Sequence, residues 1–172
     1  MLYLAVQDVP LALTCREGEG EKMLALHTAH FSFTVKDLER SLGFYRDTLG
    51  MELVATMERT GEDISRIVAF EDAQLKIAFL ELPQSSGLRL ELIQYLSPAG
   101  HPIDNRTCNP GIAHICFNVE DIHSTHQLLR DRGVRFRSEP VAIKTGVNTG
   151  GYAVYFLDPD DNTLELVQPP HQ

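Results

Sequence analysis

The chain is short of cysteine, has no concentration of basic residues and contains no apolar run of membrane length. Each shortage closes off a class of function. The three cysteines, Cys15, Cys108 and Cys116, form neither a C-x-x-C pair nor an even framework. A disulfide-stapled secreted module is therefore set aside and a reducing compartment is expected. Lysine and arginine number 15 against 24 acidic residues, a formal charge of −9. That balance offers no basic stripe to neutralise phosphates, which argues against a nucleic-acid partner. No stretch approaches the ~20 apolar residues of a membrane helix. Residues 1–25 have no basic start, are interrupted by Asp8 and Pro10, and lack a small-x-small cleavage site. They read as an arm rather than a signal peptide, and a cytoplasmic location is expected.

At 172 residues, 43% hydrophobic and 23% charged, the chain fits one medium domain or two small modules sharing a core. A repeat favours two modules. His30-Phe31-Ser32-Phe33-Thr34-Val35-Lys36-Asp37-Leu38 returns as His114-Ile115-Cys116-Phe117-Asn118-Val119-Glu120-Asp121-Ile122. Likewise, Leu90-Glu91-Leu92-Ile93-Gln94 returns as Leu164-Glu165-Leu166-Val167-Gln168. Each half thus brings one His and one Glu within strand-like sequence.

The pattern predicts β-α-β-β-β in each half. Strands are expected near 27–35, 51–58, 65–71, 74–81 and 88–95, then near 112–119, 134–138, 152–157 and 163–168. Helices open at N-caps Asp37 and Asp121 and close at Gly50 and Gly133. The resulting division is an arm and linker over 1–25, a first module over 26–96, a connector over 97–110 and a second module over 111–170.

Alternation along a strand sets His30, Ser32 and Thr34 on one face and Phe31, Phe33 and Val35 against the helix. It likewise sets His114, Cys116 and Asn118 opposite Ile115, Phe117 and Val119. Glu91 and Glu165 lie between leucines that face the other way. A Glu buried without a partner would cost several kcal/mol, and a divalent cation bound by imidazole nitrogen and carboxylate oxygen removes that cost. His30, Glu91, His114 and Glu165 are therefore the candidate ligands. Arg89 and Tyr95, sharing the face of Glu91, are candidates for gripping a substrate carboxylate or carbonyl. Thr34, Cys116 and Asn118 are candidate cavity-lining residues, with Cys116 read as small filler rather than nucleophile. His27, His101, His123, His126 and His171 are read as solvated.

With these residues in place, the chain resembles the vicinal oxygen chelate superfamily, which includes glyoxalase I, methylmalonyl-CoA epimerase, fosfomycin resistance proteins, extradiol dioxygenases and bleomycin resistance proteins. The resemblance rests on the β-α-β-β-β duplication with its His and Glu set, on Phe44-Tyr45-Arg46-Asp47-Thr48-Leu49-Gly50, and on Phe156-Leu157-Asp158-Pro159-Asp160 leading to Glu165. It implies an α+β fold in which two tandem βαβββ modules form a curved mixed sheet around a metal-binding cavity. It further implies a divalent ion (Ni, Co, Mn, Fe or Zn), a small-molecule substrate and a homodimer. The implied activity is a glyoxalase I-like lyase or isomerase acting on an oxygen-chelating carbonyl substrate through an enediolate. Glu165 would act as catalytic base and Glu91 on the opposite face. The alternatives are a dioxygenase or fosfomycin-type transferase, or a bleomycin-resistance-like binding protein. Where bacterial glyoxalase I carries Arg and Asn for glutathione, this chain has Thr34 and Tyr95. Arg66 stands near the place of an epimerase carboxylate, on an expected strand.

Overall fold

The computed structural model describes residues 27–83 and 88–170. The expected N-terminal arm lies outside the described residues. The first half runs β1 (His30–Thr34), α1 (Leu38–Leu42), a π-helical segment (Gly43–Thr48), β2 (Glu52–Thr60), α2 (Glu62–Val68), β3 (Gln74–Glu81) and β4 (Arg89–Ser97). The second half runs β5 (His114–Asn118), α3 (Ile122–Asp131), β6 (Arg135–Phe136), β7 (Val141–Ala142), β8 (Tyr152–Leu157) and β9 (Thr163–Gln168). The fold is α+β, and the strands form two mixed sheets. One has the order β1-β4-β3-β2, the other β5-β9-β8-β6 with β7 also paired to β8. In both, the His-bearing strand is an edge strand running parallel to the Glu-bearing strand.

The repeated sequence builds repeated hydrogen bonds. Asp37 accepts the Arg40 N–H, and Asp121 accepts those of His123 and Ser124, capping their helices. Gln94 Oε1 accepts the Leu38 N–H at 3.0 Å and Gln168 Oε1 accepts the Ile122 N–H at 2.9 Å. The glutamine ending each Leu-Glu-Leu motif therefore ties the central strand to the first helical turn, satisfying an otherwise unpartnered donor. Leu90, Leu92, Leu164 and Leu166 are buried, while Glu91 and Glu165 look to the other face.

The halves differ in four places. The first helix carries one residue more between its capping Asp and closing Gly than the second (37 to 50 against 121 to 133). The extra residue is absorbed as a π turn, with the Leu49 N–H donating to the Phe44 carbonyl at 3.0 Å. Both closing glycines have positive φ, +79° at Gly50 and +81° at Gly133, the left-handed conformation that ends a helix. Second, the expected strand over 65–71 is helix α2. Ile64 and Val68 recur at helical spacing and pack with Ala73, Leu75 and Ile77, while the Arg59–Asp63 ion pair anchors the first turn. Arg66 accordingly sits on a helix, beside Glu62. Third, the strand expected over 134–138 is cut to two residues, and Pro140, which has no N–H to donate, separates it from β7. Fourth, Phe31 does not pack under the helix as expected. It is 50% exposed and lines an open cavity with Leu88 and Ile115, while α1 rests mainly on β3 and β4.

One core joins the halves, running from Leu38, Leu42 and Tyr45 to Ile122, Leu129 and Phe156. Polar ties reinforce it. The fully buried Tyr45 hydroxyl donates to Asp158 at 2.9 Å, the Lys36 N–H and Arg40 both donate to Asp160, and Arg132 donates to the Thr48 carbonyl at 2.7 Å.

Candidate functional site

Each half brings its His and Glu together. His30 Nε2 lies 3.3 Å from Glu91 Oε2, and His114 Nε2 lies 3.1 Å from Glu165 Oε2. The register explains the match. Glu91 neighbours Ser32 on β1, Glu165 neighbours Cys116 on β5, and each His stands two residues earlier on the same face. In both pairs the imidazole is more open than the carboxylate, with side-chain exposures of 42% and 13% in the first and 39% and 18% in the second. The carboxylates are thus seated in the sheet and the imidazoles stand at its rim.

The third strand of each sheet adds an aromatic ring beside the pair. Phe79, opposite Glu91, meets His30 edge-on at 5.8 Å. Tyr155, opposite Glu165, tilts over His114 at 5.2 Å. The second half alone therefore has a phenol hydroxyl here, and a thiol where the first half has Ser32. Burial and the Glu165 charge raise the Tyr155 hydroxyl. They also push the Cys116 thiol up to about 11, with a hydrogen bond to Glu165 adding to the effect. A thiol so raised is protonated at neutral pH and is no nucleophile.

The two pairs stay apart in a single chain. Among the described residues, no three His, Cys, Asp or Glu side chains gather to hold a metal ion. The donor chemistry fits a divalent transition ion, since each pair offers one imidazole nitrogen and one carboxylate oxygen, but each is only half of a four-ligand set.

The other candidates fall into separate places. Arg89 is engaged by Glu81 across the sheet at 2.5 Å. Cys116, Asn118 and Arg89 line a cavity of about 210 Å³ that also touches Phe31 and Phe117. Thr34 and Tyr95 line a different cavity, of about 500 Å³, with Lys36 and His101. His126, expected to be solvated, is buried at 4% exposure, with Nδ1 3.6 Å from Glu139 and Nε2 without a partner. It occupies the helix position held by Leu42 in the first half, counting from the capping Asp, and the helical spacing signalled that inward face. The side chains overlooked in the sequence are Phe79 and Tyr155. The strand parity that picked out the candidate ligands would have identified them once the register was known.

No helix among the described residues is long and apolar enough to cross a membrane. Residues 27–166 match the model of the glyoxalase/bleomycin resistance protein/dioxygenase superfamily, and the chain belongs to that family. Its curated relatives are lyases and epimerases. It is 30% identical to a 2-epi-5-epi-valiolone epimerase of Actinomyces sp, over 86% of this chain and 80% of that protein. It is 30% identical to a probable lactoylglutathione lyase of Synechocystis, over 85% and 95%. With an ethylmalonyl-CoA/methylmalonyl-CoA epimerase of Cereibacter sphaeroides the identity is 33%, over 81% and 92%. In fold it is similar to a glyoxalase family protein of Bacillus cereus, with a TM-score of 0.71 at 20% identity over 89% of this chain and all of that one.

Proposed function

We propose that the protein is a metal-dependent lyase or isomerase of the glyoxalase I type that works as a homodimer. In this reading His30 and Glu91 of one copy and His114 and Glu165 of a second copy hold one divalent ion. The observation that carries the reading is the pair of matched half-sites, each closed at 3.1–3.3 Å between Nε2 and Oε2 but separated from the other within the chain. Two halves with the same donors, neither sufficient alone, call for a complement, and a two-fold dimer supplies it twice. The lyases and epimerases among the relatives support the reaction class.

When bound, such an ion would supply Lewis-acid chemistry, acidifying a substrate C–H bond next to an oxygen. His30 and His114 serve as fixed nitrogen donors. Glu165 takes the proton from the substrate carbon and gives it back at the adjacent atom, or to the other face of the same carbon. Tyr155 and Cys116 stand beside Glu165 as donors able to hold its carboxylate in place while the proton moves. Glu91, lying against Phe79 and lacking such donors on that strand, remains a ligand on the opposite face. Asn118 borders the smaller cavity beside Cys116, and Thr34 and Tyr95 border the separate larger one, so the two cavities are alternative places for the substrate's remainder.

The test is metal analysis of protein purified without chelator, beside the variant His114→Ala/Glu165→Ala. The reading expects near-stoichiometric transition metal in the parent and none in the variant. Absence from both, with no uptake of Ni, Co, Mn, Fe or Zn, would sink it in favour of a metal-free binding protein.

A further inference from the structure

We propose that the site accepts only a compact substrate, an oxygen-chelating carbonyl compound whose group beside Glu91 is short and apolar, without an extended peptide or nucleotide carrier. Helix α2 and the Arg89–Glu81 ion pair act as stops at the two ends of the Glu91 face. The inference rests on the proposed function, which sets the substrate at Glu91.

Four residues of β4 share this face in order, Arg89, Glu91, Ile93 and Tyr95, and β3 sets Glu81, Phe79, Ile77 and Leu75 opposite them. At one end Arg89, the neighbour of His30 across the parallel ladder, is fastened to Glu81 at 2.5 Å. At the other end Leu75 and Ile77 are buried in a cluster with Ile64 of α2, and Val68, Ile93 and Tyr95 pack against it. Phe70, just past α2, stands edge-on to Tyr95 at 6.1 Å. The helix is pinned at both ends and forms a wall, not a lid. The Arg59–Asp63 ion pair ties its start to β2. The Ser65 hydroxyl donates to the Gly61 carbonyl at 2.8 Å and accepts the Ala73 N–H at 3.1 Å.

Between the stops only Glu91 and Phe79 are left, and Phe79 offers an apolar ring with no hydrogen-bonding group. The same-face neighbours of Glu91 stand two residues away, about 7 Å along the strand. An extended carrier of three residues needs about 10 Å and would run into Arg89 or the α2 cluster. The larger cavity begins at Tyr95, beyond the second stop and about 13 Å from Glu91 by strand rise. The body of the substrate is left the smaller cavity of about 210 Å³, beside Cys116 and Asn118 on the face of His114. That volume lies under the roughly 300–1,000 Å³ of pockets for drug-sized ligands.

The experiment loads the full-length protein with cobalt and follows its visible absorption. It is titrated with two bidentate oxygen chelators that share one head group, acetohydroxamate and trialanine hydroxamate. The parent is expected to bind acetohydroxamate about tenfold more tightly than the longer chelator. Ile64→Ala/Phe70→Ala and Arg89→Ala/Glu81→Ala open one stop each. Each is expected to bind the longer chelator about tenfold better than the parent does, with affinity for acetohydroxamate unchanged. The second variant removes a partly exposed pair and no core residue, so it stands as the test if the first unfolds. Equal affinity of the parent for both chelators, or selectivity unchanged in every folded variant, would overturn the proposal. Cobalt content separates it from the proposed function. A parent that takes up no cobalt overturns both, whereas a loaded parent that binds both chelators alike overturns the size restriction alone.

Discussion

The two halves keep the same His and Glu in the same register and differ in almost everything around them. Glu91 is backed by Phe79 and Ser32, and Glu165 by Tyr155 and Cys116. On the first half, α2 packs on Leu75, Ile77, Phe79, Ile93 and Tyr95, the residues sharing the face of Glu91. Among the described residues, no helix of the second half follows β6 or β7 to cover the corresponding face. The shared part is what binding a cation requires, and the divergent part is what distinguishes one carboxylate from the other. A duplicated fold thus offers equal His/Glu pairs with unequal surroundings, and the proposed reaction needs that inequality, because one Glu is to move a proton while the other stays a ligand.

The largest effect is expected at the joint between the halves. Asp158 is buried and accepts from the Tyr45 hydroxyl, the Asn162 side chain and the N–H groups of Asp160 and Asn162. Asp158→Ala would strand those donors, and a loss of about 3 kcal/mol on chemical denaturation is expected. Burial raises the Asp158 carboxyl against the lowering pull of those same bonds. A carboxyl raised in the folded state contributes stability below the unfolded carboxylate range and loses it as pH rises through its folded value. Denaturation at a series of pH values should show this decline in the parent and not in Asp158→Asn.

A smaller effect, of the opposite sign, is expected on making the second helix resemble the first. His126→Leu restores the residue type of Leu42 and removes the buried, unpartnered Nε2. A gain of about 1 kcal/mol is expected, since an unsatisfied buried donor or acceptor costs about 1–3 kcal/mol. A loss would mean that the His126–Glu139 contact outweighs the orphaned nitrogen.

The smallest change concerns reactivity rather than stability. With its thiol raised to about 11 from 9.0, Cys116 should alkylate with iodoacetamide about a hundredfold more slowly at neutral pH than an ordinary thiol. Glu165→Gln removes the neighbouring charge and should speed it. No acceleration would separate Cys116 from Glu165.

Much of the site was legible because it depends on short periods. The two-residue alternation that sets Leu90 and Leu92 opposite Glu91 also fixes which side His30 faces, and the repeat identifies the second copy without any partner chain. The capping roles of Asp37 and Asp121 are equally local. What escaped the sequence depends on contacts distant in the chain. Whether the two pairs meet is decided by how the halves pack, and neither pair carries that information. The helix at Glu62–Val68 was masked because its short apolar run suits a strand as well as a helix. The burial of His126 follows from the packing of α3 against Phe136, a residue ten positions away on a strand only two residues long.

If each half-site draws its complement from another copy, as proposed, subunit mixing will restore what single variants lose. The variants His30→Ala/Glu91→Ala and His114→Ala/Glu165→Ala, each expected to bind no transition metal alone, would be mixed under conditions of subunit exchange. Every mixed dimer then contains one intact set of four ligands, and binding of about a quarter of the parent's metal is expected in an equimolar mixture. A mixture as empty as its components, beside variants that fold and exchange, would contradict the shared site.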